Sequence, residues 1–301
     1  MQKPQPHTSL LSSILDNSLV FVLQLLSFLP LSFLYLLSSI LSGLLFSVFH
    51  YKRPLLTNNL TRAFPHLNNQ AIQHLARQTY QHHLDILAEL IKTLRMNQAK
   101  LQERVTIKNP ELLANLLNNN QPVLLVTSHF GNWEWLQLAC AARYTRPPAV
   151  VYKRISHPAF DKLLIKLRTR FGSELIATDQ IVTELQKRRQ TSAWIAMAAD
   201  LAPRPEEKRY WATFMGIETA FYSGIPRVAR ITHATIFYGH MQRTARGHYQ
   251  LTFERLSAKE DTLSEDRIMA HYISALEHDI QQAPSNWIWF YKRWKHEKPK
   301  L

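Results

Sequence analysis

Residues 123–134 read Val-Leu-Leu-Val-Thr-Ser-His-Phe-Gly-Asn-Trp-Glu, and this stretch decides the fold. Residues 123–126 form a short apolar run, as expected of a strand buried in a sheet. A helical pattern follows from Trp133, and a strand that passes directly into a helix is typical of α/β proteins. Such proteins bind ligands at the carboxyl ends of their strands. The polar residues after position 126 therefore lie where a site is expected.

A histidine and a carboxylate stand five residues apart in this stretch, at His129 and Glu134. The Glu134 carboxylate could reach back to one imidazole nitrogen, fix the tautomer and stabilise the imidazolium while the other nitrogen takes a proton. Such a pair would activate a hydroxyl for attack. The spacing alone also fits a histidine that only completes loop hydrogen bonds, so both interpretations stay open at this point.

Composition limits the class of protein. The 301 residues suffice for one large α/β domain with appendages, and 36 Lys and Arg against 22 Asp and Glu give a formal charge of +14. That charge favours anionic partners such as lipid phosphate, nucleic acid or an acidic carrier protein.

The chain has a single cysteine, Cys140, which lies in an apolar stretch. One cysteine favours a reducing compartment, and the apolar surroundings favour a buried, unreactive thiol. With 7 glycines and no glycine-rich phosphate loop, the sequence argues against dinucleotide and P-loop folds.

The N-terminal segment, residues 18–49, has no charged residue and is rich in Leu, Phe, Val and Ile. It exceeds the roughly 20 apolar residues that a bilayer span needs, so residues 1–52 are predicted to be a membrane anchor and residues 53–301 the catalytic domain. Two arrangements fit: one tilted or kinked span, or two helices lying partly in the interface with a break near Pro30. Lys52, Arg53 and Arg62 follow the segment, which weakly favours a cytoplasmic location for the rest of the chain.

Beyond the anchor, short β-rich runs alternate with helical ones. This alternation predicts an α/β fold with a mostly parallel central sheet covered by helices on both faces. A long amphipathic helix is expected to begin near Asn69, because apolar residues recur there at three- and four-residue steps. The predicted strands are residues 105–107, 123–126, 149–152, 174–176, 193–197, 235–240 and 249–254.

Other candidate site residues follow predicted strands or close predicted helices. Lys153 and Arg154 come directly after a strand, where they could hold a phosphate or stand as solvated cations. Arg168 and Arg170 close a helix and could simply complement its dipole. Asp200 ends another apolar run, in the position that corresponds to His129, and could bind an arginine, orient a substrate hydroxyl or cap a turn.

Two chemistries are disfavoured. The adjacent histidines His82 and His83 point apart on a helix, and the chain has one cysteine, so no metal site is predicted. Ser128 is not set in the Gly-x-Ser-x-Gly turn of a hydrolase nucleophile.

The C-terminal block, residues 286–295, mixes aromatic residues with cations. That mixture suits a bilayer interface, and it would also suit stacking on single-stranded nucleic acid. Alternatively, the aromatic residues of this block close the core, while its Lys and Arg residues face water.

Taken together, these motifs resemble the late acyltransferases of lipid A biosynthesis, the lauroyl and myristoyl group within the lysophospholipid-acyltransferase-like superfamily. The resemblance covers nearly the whole chain. The histidine–acid motif is common to the superfamily, whereas the Asn-Leu to Phe-Pro segment and the Trp-rich block are more specific. The matching residues are Arg53-Pro54, Asn58-Asn59-Leu60, Phe64-Pro65, His129 to Glu134, Val151-Tyr152-Lys153, Arg168 to Gly172, Asp200, Phe214-Met215-Gly216 and the stretch from Pro284 to Trp294.

The resemblance implies an enzyme on the cytoplasmic face of the bacterial inner membrane. It would move a fatty acyl chain from an acyl carrier protein thioester to a hydroxyl of an anionic lipid A precursor, with no cofactor, no metal and no nucleic-acid partner. His129 and Glu134 would be the catalytic pair. The residues expected at the substrate, its phosphate or the oxyanion are Asn132, Lys153, Arg154, Arg168, Arg170 and Asp200.

Three departures from the family pattern bear on the acceptor and the chain length. Leu201 follows Asp200 where glutamine is frequent, Met215 stands where a second phenylalanine is common, and Tyr291 replaces a frequent histidine. An acyltransferase of the same superfamily that acts on another glycolipid, an aminolipid or a lysophospholipid is therefore the nearest alternative. A membrane-tethered nucleic-acid-binding protein is a remote one, because it explains the charge but not the histidine–acid pair.

Overall fold

The computed structural model describes residues 10–155, 157–188, 193–204, 207–257 and 264–298. Residues 1–9 of the predicted anchor lie outside the described residues. In chain order the helices are α1 Leu10–Leu26, α2 Leu31–Ser47, α3 Arg53–Ala63, α4 Asn69–Thr93, α5 Gln98–Arg104, α6 Glu111–Asn118, α7 Trp133–Arg143, α8 Pro158–Arg168, α9 Ile181–Arg188, α10 Gly224–Thr232 and α11 Glu265–Gln282. The strands are β1 Val105–Ile107, β2 Val123–Thr127, β3 Ala149–Tyr152, β4 Glu174–Ala177, β5 Trp194–Ala198, β6 Arg209–Phe214, β7 Ile217–Tyr222, β8 Thr235–Ala245 and β9 His248–Ser257.

A seven-stranded sheet in the order β1-β9-β8-β2-β5-β3-β4 forms the centre of the fold. Strands β8, β2, β5, β3 and β4 are mutually parallel, whereas β9 pairs antiparallel with β8 and β1 pairs parallel with β9. All five residues of β2 are buried, because helices cover both faces of a parallel sheet. The predicted α/β fold with a mostly parallel, helix-covered sheet is therefore confirmed.

The two N-terminal helices, α1 and α2, are separated by a short turn that ends at Pro30. This agrees with the expected break near Pro30 and with two helices in the apolar segment. Within the described ranges no helix has both the length and the apolar character needed to cross a bilayer. The anchoring role of the segment stays a prediction.

Helix α2 packs on α4 through buried polar contacts as well as apolar ones. The Tyr35 hydroxyl donates to Oε1 of Glu89 at 2.8 Å, and the Ser38 hydroxyl donates to Oδ1 of Asp85 at 2.6 Å. The Lys92 ammonium donates to the carbonyls of Ser27 and Leu29 at 3.1 and 2.8 Å and so holds the turn between α1 and α2. Helix α4 therefore links the N-terminal pair to the body that carries the sheet.

The C-terminal aromatic block closes the core. Trp287 and Trp289 are 0% exposed and meet edge to face, with ring centroids 4.6 Å apart. The antiparallel hairpin β6–β7, which the sequence analysis did not predict, packs against this block, and the Phe214 ring lies 5.6 Å from that of Trp287. Because these two indoles are buried, they cannot serve a bilayer interface or stack on nucleic-acid bases, and the core-closing interpretation is the correct one for them.

Candidate active site

Two side chains meet at the carboxyl ends of neighbouring strands. Strands β2 and β5 pair in a register that places Thr127 opposite Ala198, so the residues that follow the two strands come together. His129 follows β2 and Asp200 follows β5. This edge of the sheet is the one at which α/β proteins bind their ligands.

Asp200 holds the imidazole of His129 in one orientation. The Nδ1–H of His129 donates to Oδ1 of Asp200 at 2.7 Å, and the backbone N–H of His129 donates to Oδ2 at 3.0 Å. The indole N–H of Trp287 also donates to Oδ2, at 2.8 Å. With the proton on Nδ1, the lone pair is on Nε2, which is the form that a general base requires.

The electrostatics of the pair suit proton transfer. Burial by itself lowers the pKa of His129, but the Asp200 carboxylate outweighs it through its charge and hydrogen bond and raises this pKa above the ordinary value. Burial likewise raises the pKa of Asp200, yet its contacts with His129 and Trp287 bring the net pKa below the ordinary value. Asp200 is 0% exposed, whereas the His129 side chain keeps 20% exposure, so the imidazole is the member of the pair that a substrate can reach.

Glu134 is not hydrogen-bonded to the imidazole, which corrects the expected His129–Glu134 hydrogen bond. Its carboxylate accepts two hydrogen bonds from Arg168, from Nε at 2.9 Å and from Nη2 at 2.5 Å. The physical reason is that Asp200 already occupies Nδ1, while the first turn of α7 presents Glu134 to the end of α8. The two carboxylates therefore have different partners, although the charge of Glu134 still contributes to raising the pKa of His129.

The turn between His129 and α7 depends on Gly131. Its φ is +58°, and a Cβ there would lie 2.2 Å from the carbonyl oxygen of Met241. The N–H of Gly131 donates to the carbonyl of Asn286 at 3.0 Å, and the N–H of Ile288 donates to the carbonyl of His129 at 3.1 Å. The C-terminal block thus fixes the backbone on both sides of the motif.

A family model described as bacterial lipid A biosynthesis acyltransferase matches residues 1–296 of the chain. The chain belongs to this family. Comparison with individual curated proteins gives no match. Membership confirms the resemblance drawn from the motifs and supports an acyltransferase role for the chain.

The side chain of Asn132 makes structural contacts, and its expected place at the substrate stays a prediction. Its Oδ1 accepts from the N–H of Trp135 at 2.9 Å and caps α7, while its Nδ2 donates to Oε2 of Glu89 at 2.6 Å. Asn132 is 0% exposed, so both the oxygen and the nitrogen of its side-chain amide make their hydrogen bonds inside the fold.

Arg170 also makes structural contacts, and its expected contact with the substrate stays a prediction. Its guanidinium donates to the carbonyls of Met96 and Leu94, at 3.0 and 2.8 Å, just beyond the end of α4. Lys153 and Arg154 lie exposed after β3, on the far side of β5 from β2. Their proposed contact with phosphate stays a prediction.

Glu89 lies next to the candidate site, and the sequence pattern did not single it out. It is 0% exposed, and its carboxylate accepts from Tyr35, Asn132 and Tyr249, which belong to α2, the catalytic turn and β9. Burial raises its pKa, which the three hydrogen bonds partly offset. An acidic residue on the apolar face of an amphipathic helix was the available signal, because a carboxylate is buried there only with partners.

Proposed function

We propose that the protein transfers a fatty acyl chain from an acyl carrier protein thioester to a hydroxyl of a lipid A precursor, with His129 as general base. The observation that supports this most is the Asp200-held imidazole at the sheet edge, in a chain of the lipid A acyltransferase family. The His129 side chain is partly exposed, and its Nε2 has no hydrogen-bond partner among the residues that the structure describes. An imidazole in this arrangement can take a proton from an alcohol.

The proposed reaction is a direct transfer. The acceptor oxygen attacks the thioester carbonyl carbon while Nε2 of His129 removes its proton, and Asp200 stabilises the resulting imidazolium. The tetrahedral intermediate then collapses, the C–S bond breaks, and the imidazolium returns the proton to the departing thiolate. No covalent acyl-enzyme is needed. Cys140 is unsuited to form one, because it is 0% exposed and burial raises the pKa of its thiol.

We assign the Glu134–Arg168 pair to charge stabilisation at the same centre. The guanidinium uses its Nε and one Nη2 hydrogen bond for Glu134, which leaves three of its five N–H donors for another anion. Those donors suit the oxyanion of the tetrahedral intermediate or a phosphate of the acceptor. An oxyanion donor contributes about 3 kcal/mol in better-known acyl transfers.

The surface charge supports anionic substrates. The net charge of +14, together with the exposed Lys153 and Arg154, fits both an acidic carrier protein and a phosphorylated glycolipid. In our proposal no cofactor takes part, since the thioester itself supplies the activated acyl group.

We propose that α1 and α2 hold the enzyme on the cytoplasmic face of the inner membrane. Their outer surfaces expose large apolar side chains, which is the surface that an interfacial helix pair presents to lipid. The Arg95 guanidinium lies 3.2 Å from the centroid of the Phe28 ring at the turn between the two helices, where it could meet lipid phosphate. The exposed apolar residues of this face include Leu19, Phe21, Val22, Leu25, Phe28, Phe33, Leu36, Ile40, Leu41 and Leu44.

The test is an acyl-transfer assay with the purified full chain. Acyl carrier protein thioesters of several chain lengths, and the matching coenzyme A thioesters, are offered with a tetra-acylated lipid A precursor, and products are read by mass spectrometry. The proposal predicts a product heavier by one acyl chain, faster formation from the carrier protein thioester, and no acylated protein. Transfer only to a lysophospholipid or an aminolipid in parallel reactions would support the alternative acceptor class instead.

A further inference from the structure

A second imidazole lies near the same indole ring as the proposed base. His83 is on α4, and its ring lies 6.5 Å from the ring of Trp133, which is itself 5.2 Å from the ring of His129. The Phe290 ring lies 5.1 Å from the other side of His83. The mechanism above does not use His83.

The hydrogen bonds of His83 define its tautomer. Nδ1 lies 2.9 Å from the carbonyl oxygen of Thr79, one turn earlier on α4, and a carbonyl oxygen can only accept, so Nδ1 carries the proton. Burial, together with the nearby His129, lowers the pKa of His83 to about 4, and the hydrogen bond to Thr79 opposes this only in part. The ring is therefore neutral at pH 7, and Nε2 carries a lone pair.

That lone pair has no partner in the part of the chain that the structure describes. The Nε2 atom of His83 is buried, and no hydrogen-bond donor reaches it. Buried polar atoms in folded proteins are almost always paired, and an orphaned one calls for a ligand or an ordered water. The neighbouring rings of Trp133 and Phe290 are only half-buried, so the nitrogen lies among partly exposed aromatic side chains, one of which also contacts His129.

We propose that Nε2 of His83 accepts a hydrogen bond from the acceptor lipid, from a hydroxyl or amide N–H close to the hydroxyl that His129 deprotonates. This inference rests on the proposed function. The acceptor is favoured over the acyl donor because α4 carries both His83 and the contacts to α2, whose outer face is apolar. A substrate dissolved in the membrane would arrive from that side.

In this role His83 positions the acceptor and does not exchange protons with it. A neutral ring that accepts one hydrogen bond fixes which hydroxyl points at His129. Loss of the bond should therefore weaken use of the acceptor without changing the reaction of the donor with water.

The test compares three variants of the full chain. His83→Phe keeps an aromatic ring but has no acceptor atom, His83→Gln restores an acceptor oxygen near the position of Nε2, and His74→Phe makes the same change at an exposed position of α4. We expect His83→Phe to lower kcat/KM for the acceptor by about 10-fold, as loss of one hydrogen bond allows. Hydrolysis of the donor thioester and the unfolding midpoint should stay unchanged, His83→Gln should recover to within about threefold of the wild type, and His74→Phe should be silent.

A binding measurement separates this inference from the proposed function. In the ¹⁵N NMR spectrum of ring-labelled protein, Nε2 of His83 should appear as a bare nitrogen and shift towards hydrogen-bonded values when the lipid A precursor is added, but not when the donor is added. If the wild type transfers acyl chains and this resonance does not move, a water or nothing occupies the site and the inference is wrong. If the wild type fails to transfer, the proposed function fails, and the resonance then decides only whether Nε2 of His83 binds this lipid. Equal kinetic loss in the Phe and Gln variants, or equal loss of donor hydrolysis, would also overturn it.

Discussion

Replacing Asp200 by asparagine tests whether Asp200 makes His129 a general base. The hydrogen-bond donors around the carboxylate determine which way the new amide group must point. Oδ2 accepts from two fixed donors, the backbone N–H of His129 and the indole of Trp287, so the amide oxygen must take that place. The amide N–H₂ then faces Nδ1 of His129, which must become an acceptor. The proton moves to Nε2, and the lone pair that should take the substrate proton is lost.

The expected loss is large. The same carboxylate-to-amide change in a serine-protease triad inverts the imidazole tautomer and lowers turnover by about 10⁴-fold. We expect a loss on the order of 10³–10⁴ in single-turnover acyl transfer by Asp200→Asn, with the fold retained, since the side chains have nearly equal volume. The ¹⁵N NMR signals of His129 should show the tautomer change directly. More than a tenth of wild-type activity, or an unchanged tautomer, would refute this reasoning.

The pH dependence gives a second measure of the same pair. Because Asp200 raises the pKa of His129 above 6.5, wild-type transfer should rise with pH through that raised value and fall below it. The stability of the fold changes with pH in the opposite direction. The contribution of the protonated imidazole to the free energy of unfolding is complete at pH values below the pKa that His129 has in the unfolded chain, and it is lost as the pH rises through the pKa of the folded protein. Removing the Asp200 charge should lower the pKa of His129 and so move the residual kinetic limb to lower pH.

Three further changes give independent tests. Glu134→Gln leaves Arg168 without its carboxylate, so transfer should fall while the kinetic pKa moves less than in the Asp200 variant; an equal pKa shift would make Glu134 the partner of the imidazole after all. Gly131→Ala forces a left-handed alanine whose Cβ meets the Met241 carbonyl, so the free energy of unfolding should drop by at least about 1–3 kcal/mol, and an unchanged melting temperature would contradict this. Lys153→Glu should raise KM more for a diphosphorylated acceptor than for its dephosphorylated form, whereas equal effects would remove Lys153 from phosphate binding.

Local sequence pattern was enough to predict the parallel part of the sheet. Runs such as residues 105–107 and 149–152 become strands with those bounds, because they are rich in β-branched and aromatic residues, which favour an extended strand between two helical segments. The hairpin β6–β7 was missed. Half of its residues are half-buried, so they give no clear alternation of apolar and polar residues. Its two-residue turn has Met215 at φ +51° before Gly216, where Asn-Gly or Asp-Gly is the usual hairpin signal.

The site was predicted in part. Sequence proximity pointed to Glu134 as the partner of His129, whereas Asp200, 71 residues away, makes the hydrogen bond. Strand order cannot be read from spacing, and only the pairing of β2 with β5 shows that these two strand ends are neighbours. Likewise, one hydrogen bond of the Asn132 side chain is made to Glu89, which lies on α4, far from Asn132 in the sequence.

The role of His129 is tested most directly by single-turnover acyl transfer with His129→Ala, measured by mass spectrometry of the glycolipid across the pH range in which the wild type is active. We expect a loss of about 10²–10⁴-fold at every pH, no acyl-enzyme, and unchanged association with lipid vesicles. A variant that still transfers at more than a tenth of the wild-type rate would contradict the claim that this imidazole removes the proton.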